Sequence, residues 1–363
     1  MSKITIIIPT HNRPSYLRRL LEYYREYGSN FDMIIADSSS RENKKLDKEI
    51  VQSFPNLNIQ YIDKYPEKIT ALWKFSDIIN YVETKYCVFC ADDDFLVPGG
   101  VSQSVDFLEK NPDFTVAHGY YIDFWLEIKR KIEKRFCWGI RYTNQSIIFK
   151  DPKARLTEYM VKYFQDNMYA VRRTDSLKMI YKELLKSKMD LNPRLLGEVL
   201  ISALPLIYGK TKCLDVLYMA RELDRSRPAL IDFTHKAKYD TEYVKLKQCL
   251  AVHYQKVSKL NIGESKKIIE EILSMYVQRL IAPKSKQVVR QAVIERIRFV
   301  LKCLRVPDWI YEKARLLHKK LFLSKQMNTF YGCLNDPSSK YYEDFNKIRS
   351  HIILFSTAVA TND

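Results

Sequence analysis

The sequence predicts an α/β fold in which a mostly parallel sheet is flanked by helices and is followed by an all-α C-terminal domain. Two patterns lead to this prediction. In the first third of the chain, short apolar runs alternate with segments whose apolar residues recur at helical spacing, which is the order of β-α-β units. From about residue 240 onward, only the helical spacing remains. We therefore expect two domains, residues 1–232 and residues 233–363.

The individual elements follow from the same patterns. Buried strands are predicted at residues 4–9, 32–37, 58–63 and 86–91, with helices at 15–27, 46–54, 70–82 and 101–108. Further strands are expected at 114–121, 145–149, 168–171 and 213–219, a helix at 195–207, and a charged hairpin or loop at 127–134. Helices at 242–260, 265–281, 286–304 and 308–323 make up the C-terminal domain. Because helix-connected neighbouring strands run parallel, the carboxyl ends of the first strands should meet at one edge of the sheet.

The composition is that of a globular chain with a strongly basic balance. Hydrophobic residues make up 46% of the 363 residues, and the net charge is +17. This charge predicts a polyanionic partner, which is a phosphorylated substrate, an anionic membrane surface or nucleic acid. Nucleic acid is disfavoured because no zinc-finger, RRM or KH signature is present. No apolar stretch of about 18 residues and no signal peptide occur, which predicts a cytoplasmic protein.

The seven cysteines are scattered, which predicts free thiols in a protein without a secretion signal. Cys87 and Cys90 have the spacing of a CxxC motif. In a strand, however, side chains three positions apart point to opposite faces. We therefore expect neither a redox nor a zinc site at this pair.

Three consecutive aspartates, Asp92, Asp93 and Asp94, directly follow the predicted strand at 86–91. Adjacent carboxylates repel one another unless a cation neutralises them. Hard divalent cations prefer oxygen ligands, and such an ion can bridge a diphosphate and stabilise it as it leaves. The sequence therefore predicts a site for Mn²⁺ or Mg²⁺ and a nucleotide diphosphate at this strand end.

These strand ends resemble glycosyltransferase family 2. The run 6–13 (IIIPTHNR) is similar to the opening strand and loop of that family, and Asp37 is similar to its base-contacting aspartate. Residues 92–94, with Pro98, resemble its DxD region, although Ala91 stands where that region usually has its first aspartate. The resemblance covers residues 1–125 well and 150–230 loosely. It implies a GT-A fold and transfer of a sugar from a nucleotide-diphosphate sugar, with a UDP-sugar favoured.

The resemblance also implies roles for individual residues. The expected donor-binding residues are Pro9, Thr10, Asn12, Arg13, Asp37, Asp63, Lys68, Asp92 and Arg221, and the expected metal ligands are Asp93 and Asp94. For the basic members of this set, ordinary surface positions remain as alternatives: a solvated Lys68, a surface Arg13 at the helix start, and a surface salt bridge for Arg221.

The family transfers sugars with inversion by direct displacement, which needs a carboxylate base for the acceptor hydroxyl. Glu198 lies about a hundred residues after the aspartates in LGEVL, which resembles the family's G-E-D form with Val199 in place of the aspartate. Asp166 and Asp190 are the competing candidates. Glu198 as a carboxylate that merely interacts with the dipole at a helix N-terminus remains an alternative.

The resemblance implies a glycan or lipid-linked acceptor and a setting in surface polysaccharide biosynthesis. Residues 284–325 are rich in Lys and Arg beside an apolar stripe, which is typical either of a helix on an anionic membrane or of a packed helix with a solvated basic face. A nucleotidyltransferase on a similar sheet is the second enzyme hypothesis, but it needs a glycine-rich loop after the first strand. Residues 9–14 contain no glycine.

Overall fold

In the computed structural model, the described residues are 2–28, 31–129, 133–140, 145–162, 167–189, 196–223, 236–281, 330 and 332–358. The strands in these ranges are β1 (Ile4–Thr10), β2 (Asp32–Asp37), β3 (Ile59–Ile62), β4 (Tyr86–Phe89), β5 (Phe95–Leu96), β6 (Phe114–Lys129), β7 (Glu133–Ile140), β8 (Val171–Arg173) and β9 (Lys210–Glu222). The helices are α1 (Pro14–Tyr27), α2 (Arg41–Gln52), α3 (Ala71–Ile78), α4 (Pro98–Lys110), α5 (Pro152–Thr157), α6 (Thr174–Ser187), α7 (Gly197–Tyr208), α8 (Lys236–Ser258), α9 (Ile262–Ile281) and α10 (Tyr342–Ala358).

The described strands form one sheet in the order β3-β2-β1-β4-β8-β6-β9-β5, with β7 paired to β6. β3, β2, β1 and β4 are parallel to their neighbours. β8 is antiparallel to both β4 and β6, and β5 is antiparallel to β9. The predicted fold class is confirmed, with the parallel part of the sheet confined to its first four strands and to the pair β6–β9.

Helices cover both faces of the sheet, so that the strands alternate between two apolar clusters. In β1, Ile6 and Ile8 belong to the cluster with α1, α4 and α10, whereas Ile7 belongs to the cluster with α3 and α6 to α9. At β4, Cys90 faces the first cluster and Cys87 the second, as predicted for a strand. Continuous apolar runs form these strands because both of their faces are buried.

Helix starts carry the expected local signals. Pro14 occupies the first turn of α1, where its missing N–H costs nothing. Ser40 caps α2 by accepting a hydrogen bond from the Asn43 backbone N–H, and Thr70 caps α3 in the same way. The Ser40 cap places the start of α2 at Arg41, five residues before the predicted start of that helix.

Other elements differ in length from the prediction. β6 runs to Lys129 and pairs with β7, so the expected charged hairpin is the outer part of a long antiparallel pair. Only Ile147 of residues 145–149 bridges to another strand, at Thr211. The predicted helices at 286–304 and 308–323 lie outside the described residues, as does the predicted domain boundary, which stays a prediction. None of the described helices is long and apolar enough to cross a bilayer.

Candidate donor site at the carboxyl edge of the sheet

The carboxyl ends of β1, β2 and β4 bring the predicted donor residues together. Thr10 is directly opposite Asp37 in the β1–β2 register, and β4 flanks β1 on its other side. The Thr10 hydroxyl donates a hydrogen bond of 2.8 Å to Asp92 Oδ2. Pro9, at the end of β1, is half-buried beside them. The convergence of strand ends expected for a parallel sheet therefore places Thr10, Asp37 and Asp92 at one site.

The three aspartates form a tight turn between β4 and β5. The backbone N–H of Asp94 donates to the Ala91 carbonyl at 3.1 Å, and β5 then pairs with β9. Asp92 and Asp94 are buried, whereas the side chain of Asp93 is 25% exposed. Burial, followed by the nearby charge of Asp93, raises the pKa of Asp92 from 3.8 to about 6. Ionisation of Asp92 therefore costs free energy in the folded protein.

Two arginines neutralise part of this negative charge. Arg13 Nη1 lies 3.2 Å from Asp92 Oδ1 and 2.7 Å from Asp93 Oδ2. Arg221 Nε lies 3.3 Å from Asp94 Oδ2. The predicted pair of Arg13 and Arg221 is thus assembled around the aspartates from the loop after β1 and from β9, which are far apart in the sequence.

Asp94 is also the point at which the aspartate turn is joined to β9. Its Oδ1 accepts a hydrogen bond of 2.9 Å from the backbone N–H of Glu222. The Arg221 guanidinium lies over the Tyr169 ring, 4.5 Å from its centroid. Glu222 itself pairs with Arg19 at 2.6 Å, and the alternative of a surface salt bridge for Arg221 stays a prediction, since Asp224 lies outside the described residues. Arg19 Nη2 also donates to the Asp93 backbone carbonyl at 3.1 Å, and this hydrogen bond supports the aspartate turn.

Asp37 lies in a buried polar cluster at the end of β2. Its Oδ2 accepts a hydrogen bond of 2.5 Å from the Tyr61 hydroxyl, and its Oδ1 accepts one of 2.7 Å from the Ser39 backbone N–H. The buried Asp47 lies nearby, and burial together with Asp37 raises the pKa of Asp47 to about 7. Both oxygens of Asp37 therefore have protein partners that orient the carboxylate.

Lys74 is a site residue that the sequence reasoning missed. Its ammonium donates to the Thr10 carbonyl at 3.0 Å and to Ser38 Oγ at 2.8 Å, and its side chain is buried. Burial lowers the pKa of Lys74 to about 8, against the opposing charges of Asp37 and Asp92. The available signal was its position four residues before the buried Ile78, which places both on one face of α3.

Asn12 lies in the left-handed region, with φ of 56°. Its side-chain oxygen accepts from the Ser40 backbone N–H at 2.7 Å, and its amide donates to Glu67 at 3.1 Å. Asp63 and Lys68 are exposed on the loop after β3 that also carries Glu67. These three predicted donor residues thus line the outer rim of the site rather than its buried part.

Glu198 lies in the first turn of α7 and is half-buried. The far end of α7 lies beside the start of β6, where Thr115 Oγ1 donates to the Pro205 carbonyl at 3.1 Å. β6 is parallel to β4, because β8 is antiparallel to both, so this end of α7 lies at the edge of the sheet opposite the aspartates. The first turn of α7 lies about 18 Å along the helix from that end.

A short segment connects α7 to the arginine of β9. The backbone N–H of Asn167 donates to Ser202 Oγ at 3.2 Å, and Ser202 lies one turn after Glu198 on α7. Tyr169, two residues after Asn167, provides the ring over which the Arg221 guanidinium lies. The competing bases Asp166 and Asp190 lie outside the described residues.

Residues 5–179 match the family described as Glycosyl transferase family 2. No curated protein matches the sequence. Among solved structures, the chain is similar to S. aureus TarS 1–349 in complex with UDP-GlcNAc, with 12% identity, a TM-score of 0.51, and coverage of 78% of this chain and 74% of that one. It also matches the S. aureus TarS structure with 14% identity and a TM-score of 0.47, over 77% of this chain and 44% of that one. A mannosyltransferase from Pyrobaculum calidifontis in complex with GDP-Man and Mn²⁺ matches with 11% identity and a TM-score of 0.38, over 80% of each chain.

Proposed function

Since this chain is a nucleotide-sugar glycosyltransferase with a family 2 domain over residues 5–179, we propose that it uses a UDP-sugar and a divalent metal to glycosylate a glycan or lipid-linked acceptor. The transfer inverts the anomeric centre by direct displacement. Its setting is the biosynthesis of a surface polysaccharide. The choice of UDP follows the nucleotide in the TarS complex with UDP-GlcNAc, whose fold is similar.

The observation that carries this proposal is the aspartate turn with its two arginines. Three carboxylates face Arg13 and Arg221 at the carboxyl edge of parallel strands, where ligands of such sheets bind. Arg13 is about one-third exposed, so its guanidinium is accessible to a ligand. A diphosphate offers both arginines the bidentate partner that guanidinium groups prefer.

The donor set fits a hard divalent cation such as Mn²⁺ or Mg²⁺. Asp93 is the most accessible of the three carboxylates, and its contact is with the outer end of the Arg13 side chain. Asp94 Oδ1 accepts a hydrogen bond from the Glu222 N–H, so Asp94 would hold the metal as the second ligand through Oδ2, the oxygen that lies beside Arg221. The raised pKa of Asp92 is in keeping with a cluster that binds added positive charge. When bound, the cation supplies charge stabilisation for the departing diphosphate.

The chain's own residues perform the remaining steps. Arg13 and Arg221 hold the diphosphate, and the strand-end residues Thr10 and Asp37 orient the nucleoside. Glu198 accepts the proton of the acceptor hydroxyl while that oxygen forms the new bond to the anomeric carbon. The bond between the anomeric carbon and the diphosphate breaks at the same time, and its electron pair leaves with the nucleotide.

The rim residues define the outer part of the donor pocket. We assign Pro9 and Asn12 to the base and ribose, with Asp63 beside them and Lys68 on the side of the diphosphate. For the acceptor, we place a membrane-bound lipid carrier on the basic segment 284–325, which lies outside the described residues.

Calorimetric titration of UDP, GDP and CDP, each with Mn²⁺ and with EDTA, tests the donor site. Metal-dependent binding of UDP to the wild type, lost in Asp93→Ala and kept in the exposed control Asp106→Ala, is the expected result. Absence of binding for all three nucleotides contradicts the assignment of the donor site. Binding of another nucleotide instead of UDP corrects the donor alone.

A further inference from the structure

We propose that Glu183, Cys249 and His253 form a zinc site that holds α6 against α8, separate from the donor site. Glu183 belongs to α6, while Cys249 and His253 are one helical turn apart on α8. One ligand atom from each residue lies within 4.8 Å of the others. The three residues therefore converge on a single point between the two helices.

The spacing of the ligand atoms suits a tetrahedral ion. Zinc bonds of the usual lengths place neighbouring ligand atoms about 3.4 to 3.6 Å apart. His253 Nε2 lies 3.7 Å from Glu183 Oε1, close to this spacing, and all three ligand atoms lie within 4.8 Å of one another, so zinc binding would draw them closer together. Three protein ligands leave the fourth position to a water molecule, which the partly exposed Glu183 side admits.

The burial of His253 and its unpartnered Nε2 are the second observation that points to a bound metal. Its side chain is 2% exposed, and its Nε2 has no hydrogen-bond partner among the described residues. Its Nδ1 lies 2.6 Å from the hydroxyl oxygen of Tyr208. When Nδ1–H donates to that oxygen, the lone pair of Nε2 is directed at Glu183 and Cys249, as in metal sites whose histidine is oriented by an outer hydrogen bond.

The ligand types select the metal and distinguish this site from the donor site. A thiolate, an imidazole and one carboxylate favour zinc or a similar transition metal over Mg²⁺ or Mn²⁺, which prefer oxygen ligands. The aspartate turn offers oxygen ligands only. On binding, Cys249 releases its thiol proton to solvent, and its sulfur supplies the electron pair of the Zn–S bond.

The position of the site gives it a structural role. Tyr208 is the last residue of α7, at the end of that helix away from Glu198. The metal therefore connects α6 and α8 directly and α7 through the Tyr208 hydroxyl. These helices form much of the apolar cluster that contains Ile7 of β1, so metal binding stabilises the packing of α8 on the sugar-transfer domain.

Cobalt substitution of the full chain tests the site by a signal that carboxylates cannot give. After EDTA treatment and dialysis, added Co²⁺ should produce thiolate-to-cobalt charge-transfer absorption that saturates at about one ion per chain. The band should disappear in Cys249→Ser and persist in the control Cys333→Ser. A folded wild type that shows no such band overturns the proposal, as does a band that survives Cys249→Ser.

A variant that removes the hydrogen bond between Tyr208 and His253 leaves all three metal ligands in place. Tyr208 is 39% exposed, so Tyr208→Phe should fold, and it should weaken Co²⁺ affinity about 10- to 100-fold. In an Asp93→Ala background, added Zn²⁺ should also raise the Tm, and Glu183→Gln should reduce that shift. Equal affinity and an equal Tm shift in these variants would mean that Glu183 and His253 form only an ion pair.

Discussion

Replacing Asp92 with asparagine should make the metal-free protein more stable while it removes a proposed donor ligand. Burial and Asp93 raise the pKa of Asp92 from 3.8 to about 6. A shift of about two units corresponds to about 3 kcal/mol by which the folded state disfavours the ionised carboxylate. The amide introduced by Asp92→Asn is uncharged and still accepts the Thr10 hydroxyl hydrogen bond. Because the raised pKa already includes the opposing ion pair with Arg13, the expected net gain is about 3 kcal/mol.

The pH dependence identifies the cause. Because the folded-state pKa is raised, the folded wild type keeps a proton that the unfolded chain loses between pH 3.8 and about 6. Wild-type stability relative to Asp92→Asn therefore falls across this window and stays constant above it. Urea unfolding in EDTA at about pH 8, above this window, and at about pH 4.5, within it, measures the change. A variant that is less stable at the higher pH, or whose gain is the same at both, refutes the reasoning; the exposed control Asp106→Asn should show no gain.

Three further predictions concern the base, the arginine of β9 and the start of α4. Glu198→Gln should lower kcat about 100- to 10,000-fold without changing nucleotide affinity by calorimetry, and a loss of affinity would speak against a base. Arg221→Lys keeps the charge beside Asp94 but loses the planar contact with the tyrosine ring, so kcat/KM should fall about 5- to 30-fold; unchanged kinetics would contradict this role. Gly100→Ala places a methyl group 2.7 Å from a backbone carbonyl of β9 and should cost about 1 to 3 kcal/mol in urea unfolding, whereas Gly99→Ala has its nearest neighbour at 4.0 Å and should be close to neutral. Equal stability of the two glycine variants would refute the steric argument.

The parallel strands were predictable because burial on both faces leaves a continuous apolar run. β2 has the predicted bounds, and β1, β3 and β4 agree with the prediction to within two residues at each end. The start of α2 was missed because RENKK lies on an exposed part of the helix and reads as a loop, although Ser40 provided the capping signal. The length of β6 depends on its pairing with β7 and β9, which local periodicity does not encode.

The residues of the candidate site also differ in whether the local sequence predicts them. Asp92–Asp94 were visible because the three residues are contiguous and directly follow a strand. The partners of Asp94 come from β9, and the Glu222 contact spans 128 positions, so only the pairing of β5 with β9 reveals it. Lys74 reads locally as a polar residue of a helix. Its burial arises because α3 crosses the ends of β1 and β2, which is a tertiary fact.

α10 carries a consequence for how the chain is made. His351 Nε2 lies 2.8 Å from the Arg19 carbonyl, across 332 positions of sequence. The side chain of Arg19 in turn supports the aspartate turn by its hydrogen bond to the Asp93 carbonyl. Contacts of such sequence separation form late, because a long loop must close before they are made. During synthesis, the amino-terminal strands emerge from the ribosome long before α10. A nascent chain should therefore form its first strands early but complete the contacts around Arg19, next to its aspartate turn, only after α10 has been translated.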